Sequence, residues 1–478
     1  MFNITTSHDL VKFTSHPYLT SFASFTSYPN LTSIASFLCL ILLLILSNII
    51  KRNKSCKVFL VDFACYKPPT AQICNSEMFL DRVRSCEKFS EASLVFMQTI
   101  LEKAGLGQST YTPEAFLRKP MNPCLEDSRR EAEMVMFGAV DELLAKSGVE
   151  GKDIGIVIVN CSIFNVVPSL CAMIVNRYKL GEDTVSYNLS GMGCSAGLIA
   201  IGLAKQLLQV RHNSYALVVS TENITQNCYF GNDRSKLLSN CIFRIGGAVM
   251  LLTNRPSVSK VAKYQLIHTV HNNTTISDRS YNCVFYEEDH RGQAGVTITK
   301  DLMVVASKTI EANVITLGRL VLPIREQILY VTNYIIKRFV LRKVDPYVPN
   351  FKKAFDHIIT HVGGKPVLDE VKRKLDLTKS DMEASTMTLY RFGNTSSSSV
   401  WYGLAYAEAK GKIKRGDRAW QIAFGAGFKC SSVIWRAIKT VDREKNNPWS
   451  DEIDGFPVDV DLDISCSIPY HFEPSEKI

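Results

Sequence analysis

A cysteine, a histidine and an asparagine in this chain occupy positions from which they can do nucleophilic chemistry. Cys194 lies in the run Asn188-Leu189-Ser190-Gly191-Met192-Gly193-Cys194-Ser195-Ala196-Gly197. Residues 184–189 read as a strand and 195–208 as a helix, apolar on nearly every face until Lys205, which sets Cys194 at a helix N-terminus. Unpaired N–H groups and the helix dipole there favour negative charge. The thiol is therefore expected to shift toward the thiolate, the form that attacks carbonyl carbon. Gly191, Gly193 and Gly197 suit a tight turn with close backbone approach. A cysteine among small residues is more often the mark of buried packing, so the chemical reading depends on partners.

The partners lie downstream. His361 closes the apolar stretch Ile358-Ile359-Thr360-His361-Val362-Gly363-Gly364, a strand followed by a helix expected over 366–375. Asn394 lies in Arg391-Phe392-Gly393-Asn394-Thr395-Ser396-Ser397-Ser398-Ser399, ahead of a helix expected over 400–412. Each alone reads as well as a satisfied core polar group or a helix cap. Together they repeat a pattern, because Cys194 and Asn394 each open a helix, each precede small residues and each lie near a Gly-bearing strand end. Ile245-Gly246-Gly247-Ala248-Val249 and Phe424-Gly425-Ala426-Gly427-Phe428 repeat it again. An α/β architecture with two similar halves, 58–255 and 256–440, is expected, although identity between the halves is slight.

Cys, His and Asn in these settings resemble the condensing enzymes of the thiolase superfamily, and the match narrows to the plant-type 3-ketoacyl-CoA synthases of fatty acid elongation. The resemblance spans residues 61–435. It is carried by Val61-Asp62-Phe63-Ala64-Cys65-Tyr66, by Tyr229-Phe230-Gly231-Asn232-Asp233-Arg234-Ser235, by Leu238-Ser239-Asn240-Cys241-Ile242-Phe243-Arg244 and by 391–399. It implies a duplicated thiolase-like fold of five αβαβα layers. It also implies a Cys194 nucleophile, His361 and Asn394 as donors to an enolate, and an oxyanion hole from the backbone N–H groups of Cys194 and Ala426. His268 and His357 are secondary candidates, since family members carry histidines near there. The implied substrates are long-chain acyl-CoA and malonyl-CoA, with no separate cofactor. A homodimer, elongase reductases and a dehydratase as partners, and an endoplasmic reticulum location are implied as well. The sequence departs from the family at Ser190 (usually Gly), Cys228 (Trp), Val362 (Ala), Tyr390 (often His) and Ala426 (Ser or Gly). Two other readings stay open: condensation of the type III polyketide synthase kind, and a non-catalytic elongase scaffold subunit.

Composition fits a large mixed α/β protein, with 46% hydrophobic residues in 478. Fourteen cysteines are scattered without a C-x-x-C pair or framework spacing, which points to reduced thiols, and the nine histidines do not cluster with them as metal ligands would. No basic–aromatic array points to nucleic acid. Residues 33–50 carry no charge and include Leu38-Cys39-Leu40-Ile41-Leu42-Leu43-Leu44-Ile45-Leu46, enough for one transmembrane helix behind a polar tail at 1–32. The run begins too late for a simple cleavable signal. Family members generally show two N-terminal spans; here residues 19–31 are interrupted by Ser, Thr, Tyr28 and Pro29, and a second span stays open. Lys51, Arg52, Lys54 and Lys57 follow the run, against Lys12 alone before it, which places the remainder in the cytosol. Glycosylation sequons at Asn160, Asn188, Asn223, Asn272, Asn273 and Asn394 agree, since a glycan on Asn394 would block its chemistry. The net charge of +9 is uneven: Lys410, Lys412, Lys414, Arg415 and Arg418 cluster, while 441–478 reads as an acidic tail. The basic cluster reads as a solvated surface or as a seat for coenzyme A phosphates. Residues 317–344 are apolar yet carry Arg319, Arg325, Lys337, Arg338, Arg342 and Lys343. That suits a segment on a membrane surface, a roof over an acyl tunnel, or a buried helix with snorkelling cations.

Overall fold

The computed structural model of the chain describes residues 56–337 and 347–460. The tail expected at 1–32 and the span expected at 33–50 lie outside the described residues. In the first half, β1 (Phe59–Cys65), β2 (Ile154–Asn160), β3 (Val185–Leu189), β4 (Tyr215–Thr221) and β5 (Gly247–Thr253) form a sheet in the order β3-β2-β4-β5-β1. β2 and β4 are nearly unbroken apolar runs with every residue buried, as parallel strands covered on both faces require. β2 runs parallel to β3 and β4, whereas β5 is antiparallel to β4 and to β1.

The second half repeats this plan with β6 (Tyr264–Asn273), a separate hairpin of β7 (Val284–Glu288) and β8 (Ala294–Ile298), and then β9 (His357–Thr360), β10 (Arg418–Gly425) and β11 (Lys429–Ala437). β9 and β10 are parallel, β11 is antiparallel to β10, and β6 is antiparallel to β11. A short pairing of Phe59 with Gln265 and Leu60 with Tyr264 joins the halves into one nine-stranded hydrogen-bonded sheet. Nothing local in the sequence marks that junction.

Helices fill the layers around the strands. α1 (Leu125–Ser147) covers β1, β4 and β5, and α2 (Leu170–Tyr178) covers β2 and β3. α3 (Ala196–Val210) touches β2 and β4 on one side and β10 and β11 on the other. α4 (Leu302–Val321) packs on β6, β10 and β11 and passes through Pro323 into α5 (Ile324–Ile335). After β9 come α6 (Lys365–Lys374), α7 (Glu383–Phe392) and α8 (Ser399–Ala409). α8 is buried at every residue between β9 and β10 on one side and β1 and β5 on the other. The layers thus run helix, sheet, helix, sheet, helix. A helix between two sheets must be apolar all round, which accounts for the compositions of α3 and α8. Residues 193–210 are the only described helical stretch long and apolar enough to cross a membrane, and in this fold that apolarity serves packing between sheets.

Residues 441–460, read from the sequence as part of an acidic tail, pack on the body instead. Trp449 is fully buried and donates its indole N–H to the Tyr402 carbonyl at 2.9 Å, while Glu444 meets Lys263 at 2.6 Å and Glu452 meets Arg391 at 2.9 Å. These carboxylates answer buried cations that lie far away in sequence. The basic cluster is partly committed in the same way: Lys410 donates to the Phe456 carbonyl and Lys412 pairs with Glu383 at 2.9 Å.

Candidate active site

Parallel strands of both halves bring their carboxyl ends together, the place where ligands bind in open α/β sheets. β3 leads into Cys194, β4 ends just before Glu222, β9 ends just before His361, and β10 ends at Gly425. Gly193 and Gly393 both hold left-handed conformations, at φ +64° and +67°, and each directly precedes its polar residue. One turn of 3₁₀ helix precedes each long helix, Gly193–Ser195 before α3 and Ser396–Ser398 before α8; Cys194 lies inside the first, whereas Asn394 lies two residues ahead of the second. The two helix starts therefore share a positive-φ glycine and a 3₁₀ turn, but the polar residue is placed differently relative to that turn.

The segment 394–399 gathers the three residues. The Ser396 hydroxyl donates to Cys194 Sγ at 3.5 Å, and the Ser396 backbone N–H donates to Asn394 Oδ1 at 2.8 Å. That bond orients the buried Asn394 amide and leaves Nδ2 as its donor end. His361 Nδ1 lies 2.8 Å from Ser399 Oγ, and the ring meets Phe424 edge-on with centroids 5.5 Å apart. The His361 backbone N–H donates to the Ile422 carbonyl at 2.8 Å, fixing the residue to β10. Below them, Ser220 Oγ bonds both Asn160 and Ser397 at 2.9–3.0 Å and ties the halves together.

The turn after β10 faces Cys194. A Cβ added at Gly193 would fall 2.5 Å from the Ala426 nitrogen, and one added at Gly425 would overlap the Cys194 nitrogen. The two amides are thus neighbours with no room for a side chain between their strands of backbone. The positive φ in this turn belongs to Gly427, at +128°, and not to Ala426, so alanine imposes no backbone strain there.

Burial dominates the electrostatics. It pushes the Cys194 thiol up to about 12, with the Glu222 carboxylate adding to the rise and the Ser396 hydrogen bond opposing it. The downward shift expected from the helix start is outweighed. Burial also lowers His361 to about 3, opposed in part by a hydrogen bond to the Ser396 backbone. Both groups are neutral at rest, since each loses the water that would solvate its charged form.

Glu222 is a member of this site that sequence reading missed. Its carboxylate accepts from the backbone N–H groups of Ser162 (3.0 Å) and Ile163 (3.1 Å), and Ser162 Oγ accepts from the Gly193 N–H at 3.0 Å. A buried carboxylate thereby sets the loop that carries Cys194. The available signal was an acid one residue past an apolar strand. Ser396 and Ser399 were also missed as individuals, though the serine run itself was visible.

The secondary candidates lie elsewhere. His268 is paired opposite Ile434 on β11, while the site end of β6 is Asn273, opposite Lys429. Five residues of strand separate them, roughly 17 Å. His357 stands at the start of β9, and its Nε2 contacts Asp417 Oδ2 at 2.8 Å, so it closes the opposite end of the strand from His361.

The family described as FAE1/Type III polyketide synthase-like protein matches residues 49–340, and the C-terminal region of 3-oxoacyl-[acyl-carrier-protein] synthase III matches 352–437. 3-Ketoacyl-CoA synthase 2 of Arabidopsis thaliana is 57% identical over 427 residues, covering 88% of this chain and 81% of that protein. 3-Ketoacyl-CoA synthase 11 of the same plant is 54% identical over 423 residues, covering 88% and 83%. Probable 3-ketoacyl-CoA synthase 20 of Oryza sativa subsp. japonica is 52% identical over 408 residues, covering 84% and 78%. The chain belongs to the plant 3-ketoacyl-CoA synthases. Its fold is that of the type III polyketide synthase domain of Steely1 from Dictyostelium, with TM-score 0.60 at 17% identity over 80% of this chain and 99% of that one. A point mutant of CsyB gives TM-score 0.61 at 18% identity, covering 80% and 100%.

Within the 3-ketoacyl-CoA synthase pattern, three of the five departures, Tyr390, Cys228 and Val362, fall on packing positions, while Ser190 is exposed. The Tyr390 ring lies against Gly107, where an added Cβ would come within 2.8 Å of it, and meets Phe456 edge-on at 6.4 Å. Cys228 is a thiol raised by burial beside Cys86, and Val362 is fully buried. None of the three touches the 394–399 turn through any recorded bond.

Proposed function

We propose that the protein condenses a long-chain acyl-CoA with malonyl-CoA, releasing CO2 and giving a 3-ketoacyl-CoA two carbons longer, the first step of very-long-chain fatty acid elongation. The observation that carries this reading is the convergence of Cys194, His361 and Asn394 on one turn, in a chain of this family. Polyketide synthase-like condensation rests on a shared family description and on fold at 17–18% identity, against 52–57% identity to 3-ketoacyl-CoA synthases, and a scaffold role leaves the assembled site unexplained.

The chemistry follows from what each side chain can do. Cys194 gives its proton to the unprotonated Nε2 of His361, and the thiolate attacks the acyl-CoA carbonyl. The imidazolium proton passes to the departing coenzyme A thiolate, leaving acyl-Cys194 and a neutral ring. Ser399 suits both stages, because a hydroxyl accepts from Nδ1–H when Nε2 is the base and donates to Nδ1 when Nε2 carries the proton. The neutral ring then changes tautomer, losing its Nδ1 proton and taking one on Nε2 by exchange with solvent; malonyl-CoA loses CO2, and its enolate oxygen is held by His361 Nε2–H and Asn394 Nδ2–H, donors placed where charge develops. The enolate carbon attacks the acyl-Cys194 carbonyl, whose oxyanion lies against the N–H groups of Cys194 and Ala426. Collapse expels the Cys194 thiolate, which takes one proton from solvent. The balance is acyl-CoA, malonyl-CoA and a proton in, and 3-ketoacyl-CoA, coenzyme A and CO2 out.

The uncharged run at 33–50 and the cations after it support attachment to the endoplasmic reticulum membrane with the catalytic body in the cytosol. A homodimer working beside elongase reductases and a dehydratase completes the reading, since a 3-ketoacyl product must be reduced and dehydrated before another cycle. Membranes carrying the protein, given a panel of acyl-CoAs and labelled malonyl-CoA, should form labelled 3-ketoacyl-CoA with some chain lengths. Cys194→Ala should abolish it while the protein stays folded and membrane-bound. Appreciable product from the alanine variant would sink the assignment.

A further inference from the structure

The helix α5 is built inside out. Its inward face is polar: Glu326, 1% exposed, is the one buried residue in its twelve, and it accepts from Tyr347 Oη at 2.6 Å, from the Asn350 N–H at 3.1 Å and from Lys353 Nζ at 2.5 Å. Asn333, on the same face, accepts from the Tyr347 N–H at 2.9 Å. These contacts tie α5 to the segment that enters β9, at the end of the strand away from His361. The outward face is apolar at helical spacing, with Ile324 at 71%, Ile328 at 58%, Val331 at 52% and Ile335 at 48% exposed. A roof over an acyl tunnel would turn these residues inward, so α5 does not serve as one; residues 338–344 lie outside the described residues.

Charge identifies what covers the stripe. Residues 317–344 hold six basic residues, and their single acid is Glu326, which is buried and paired. Arg319 and Arg325 are exposed beside the stripe. An apolar ridge rimmed by cations, with Glu311 the acid nearest Tyr330, matches a surface with acyl chains below and anionic headgroups above, and it does not match water. We propose that α5 lies in the headgroup boundary of an anionic bilayer, with Ile324, Ile328, Val331 and Ile335 among the upper acyl carbons and Arg319 and Arg325 on lipid phosphates. This contact is separate from the apolar run at 33–50 and orients the catalytic body on the membrane.

The four native tryptophans are fully buried in the core, which permits a direct test on the full-length protein. Ile328→Trp is reconstituted in phosphatidylcholine–phosphatidylserine vesicles with plain or dibrominated acyl chains. Ile276→Trp, at a 99% exposed position just beyond the site end of β6, serves as the control. Bromine should remove most of the added emission of Ile328→Trp and leave that of Ile276→Trp unchanged. Replacing phosphatidylserine with phosphatidylcholine, or introducing R319E and R325E together, should reduce the quenching. Equal bromine quenching in both variants would mean indiscriminate adsorption and overturn the proposal. An unquenched but blue-shifted Ile328→Trp would overturn it too, assigning the stripe to protein: to a second copy if the shift depends on concentration, to another part of this chain if it does not. The readout is position and not turnover, so it stands or falls apart from the condensation chemistry, and retained condensation by Ile328→Trp shows that the variant is folded.

Discussion

Gly425→Ala tests the oxyanion hole where no side chain can be removed. Gly425 lies outside the left-handed region, so alanine is acceptable to its own backbone. Its added Cβ would overlap the Cys194 nitrogen and come to 3.2 Å from both Cys194 Cα and the Gly193 carbonyl carbon. Those are backbone atoms, which cannot swing aside as the end of a long side chain does. Restoring ordinary contact requires the two segments to part by about 1 Å, a misplacement that costs on the order of 10²-fold in a positioned reaction. Losing one oxyanion donor costs about 10²–10³-fold, or roughly 3–4 kcal/mol, and the two estimates describe the same event. Acylation, followed as single-turnover release of coenzyme A, should therefore fall by about 10²-fold or more in Gly425→Ala. Decarboxylation of malonyl-CoA, followed as labelled CO2, should fall much less, because His361 and Asn394 serve that step. A thermal melt checks that the variant is folded. Acylation within a few-fold of wild type would refute the placement of the hole, and equal loss in both steps would refute the separation of the two oxyanion sites.

His361→Ala and Asn394→Ala should each slow malonyl-CoA decarboxylation by about 10² or more, while only the histidine change should also cripple acylation of Cys194. Small, equal effects on both steps would end that division of labour. Alkylation of Cys194 by iodoacetamide should be slow at neutral pH and climb through pH 9 without a plateau, as burial holding the thiol up to about 12 requires. A plateau near pH 6 would reveal a preformed thiolate–imidazolium pair. Lys263, which is buried and contacts Asp62 (2.7 Å), Glu408 (3.1 Å) and Glu444 (2.6 Å), is the cation of a cluster joining β1, β6, α8 and the 441–460 segment. Lys263→Met should cost about 3–5 kcal/mol in denaturant unfolding at neutral pH, since it leaves buried carboxylates unpaired. Burial already raises Glu408, and Lys263 is the chief group lowering it, so in the variant its folded value rises further above the unfolded one. Folding then favours the protonated acid, and the penalty should shrink as pH falls below that raised value. A penalty that does not vary with pH would refute the electrostatic account.

What could be read from sequence was local. A strand, a glycine, a polar residue and a small-residue helix start occur together around Cys194 and Asn394, and the chain has to fold that way because Gly193 and Gly393 take positive φ where other residues resist it. What could not be read depends on distant partners. Glu222 acts through Ser162, sixty residues earlier, and Glu444 and Glu452 read only as part of an acidic tail because Lys263 and Arg391 are invisible neighbours in the sequence. The α5 stripe was visible as mixed apolar and basic, but its direction needed Tyr347, Asn350 and Lys353.

The sign of the Cys194 shift shows the same limit and carries the sharper lesson. A helix start argues for a thiolate, and that effect spans only the first turn; the enclosure that outweighs it is assembled from β10, β11 and the 394–399 turn. The same enclosure moves His361 in the opposite direction, because it penalises whichever form of each group is charged. A neutral thiol beside a neutral imidazole does not hydrolyse or alkylate idly. Charge separates only when an acyl thioester occupies the space before the Cys194 and Ala426 amides, where the developing oxyanion finds donors already in place. Activation of the nucleophile is thereby coupled to substrate binding, and the burial that makes Cys194 a poor free thiolate is what allows the donors around it to act in a site from which water is excluded.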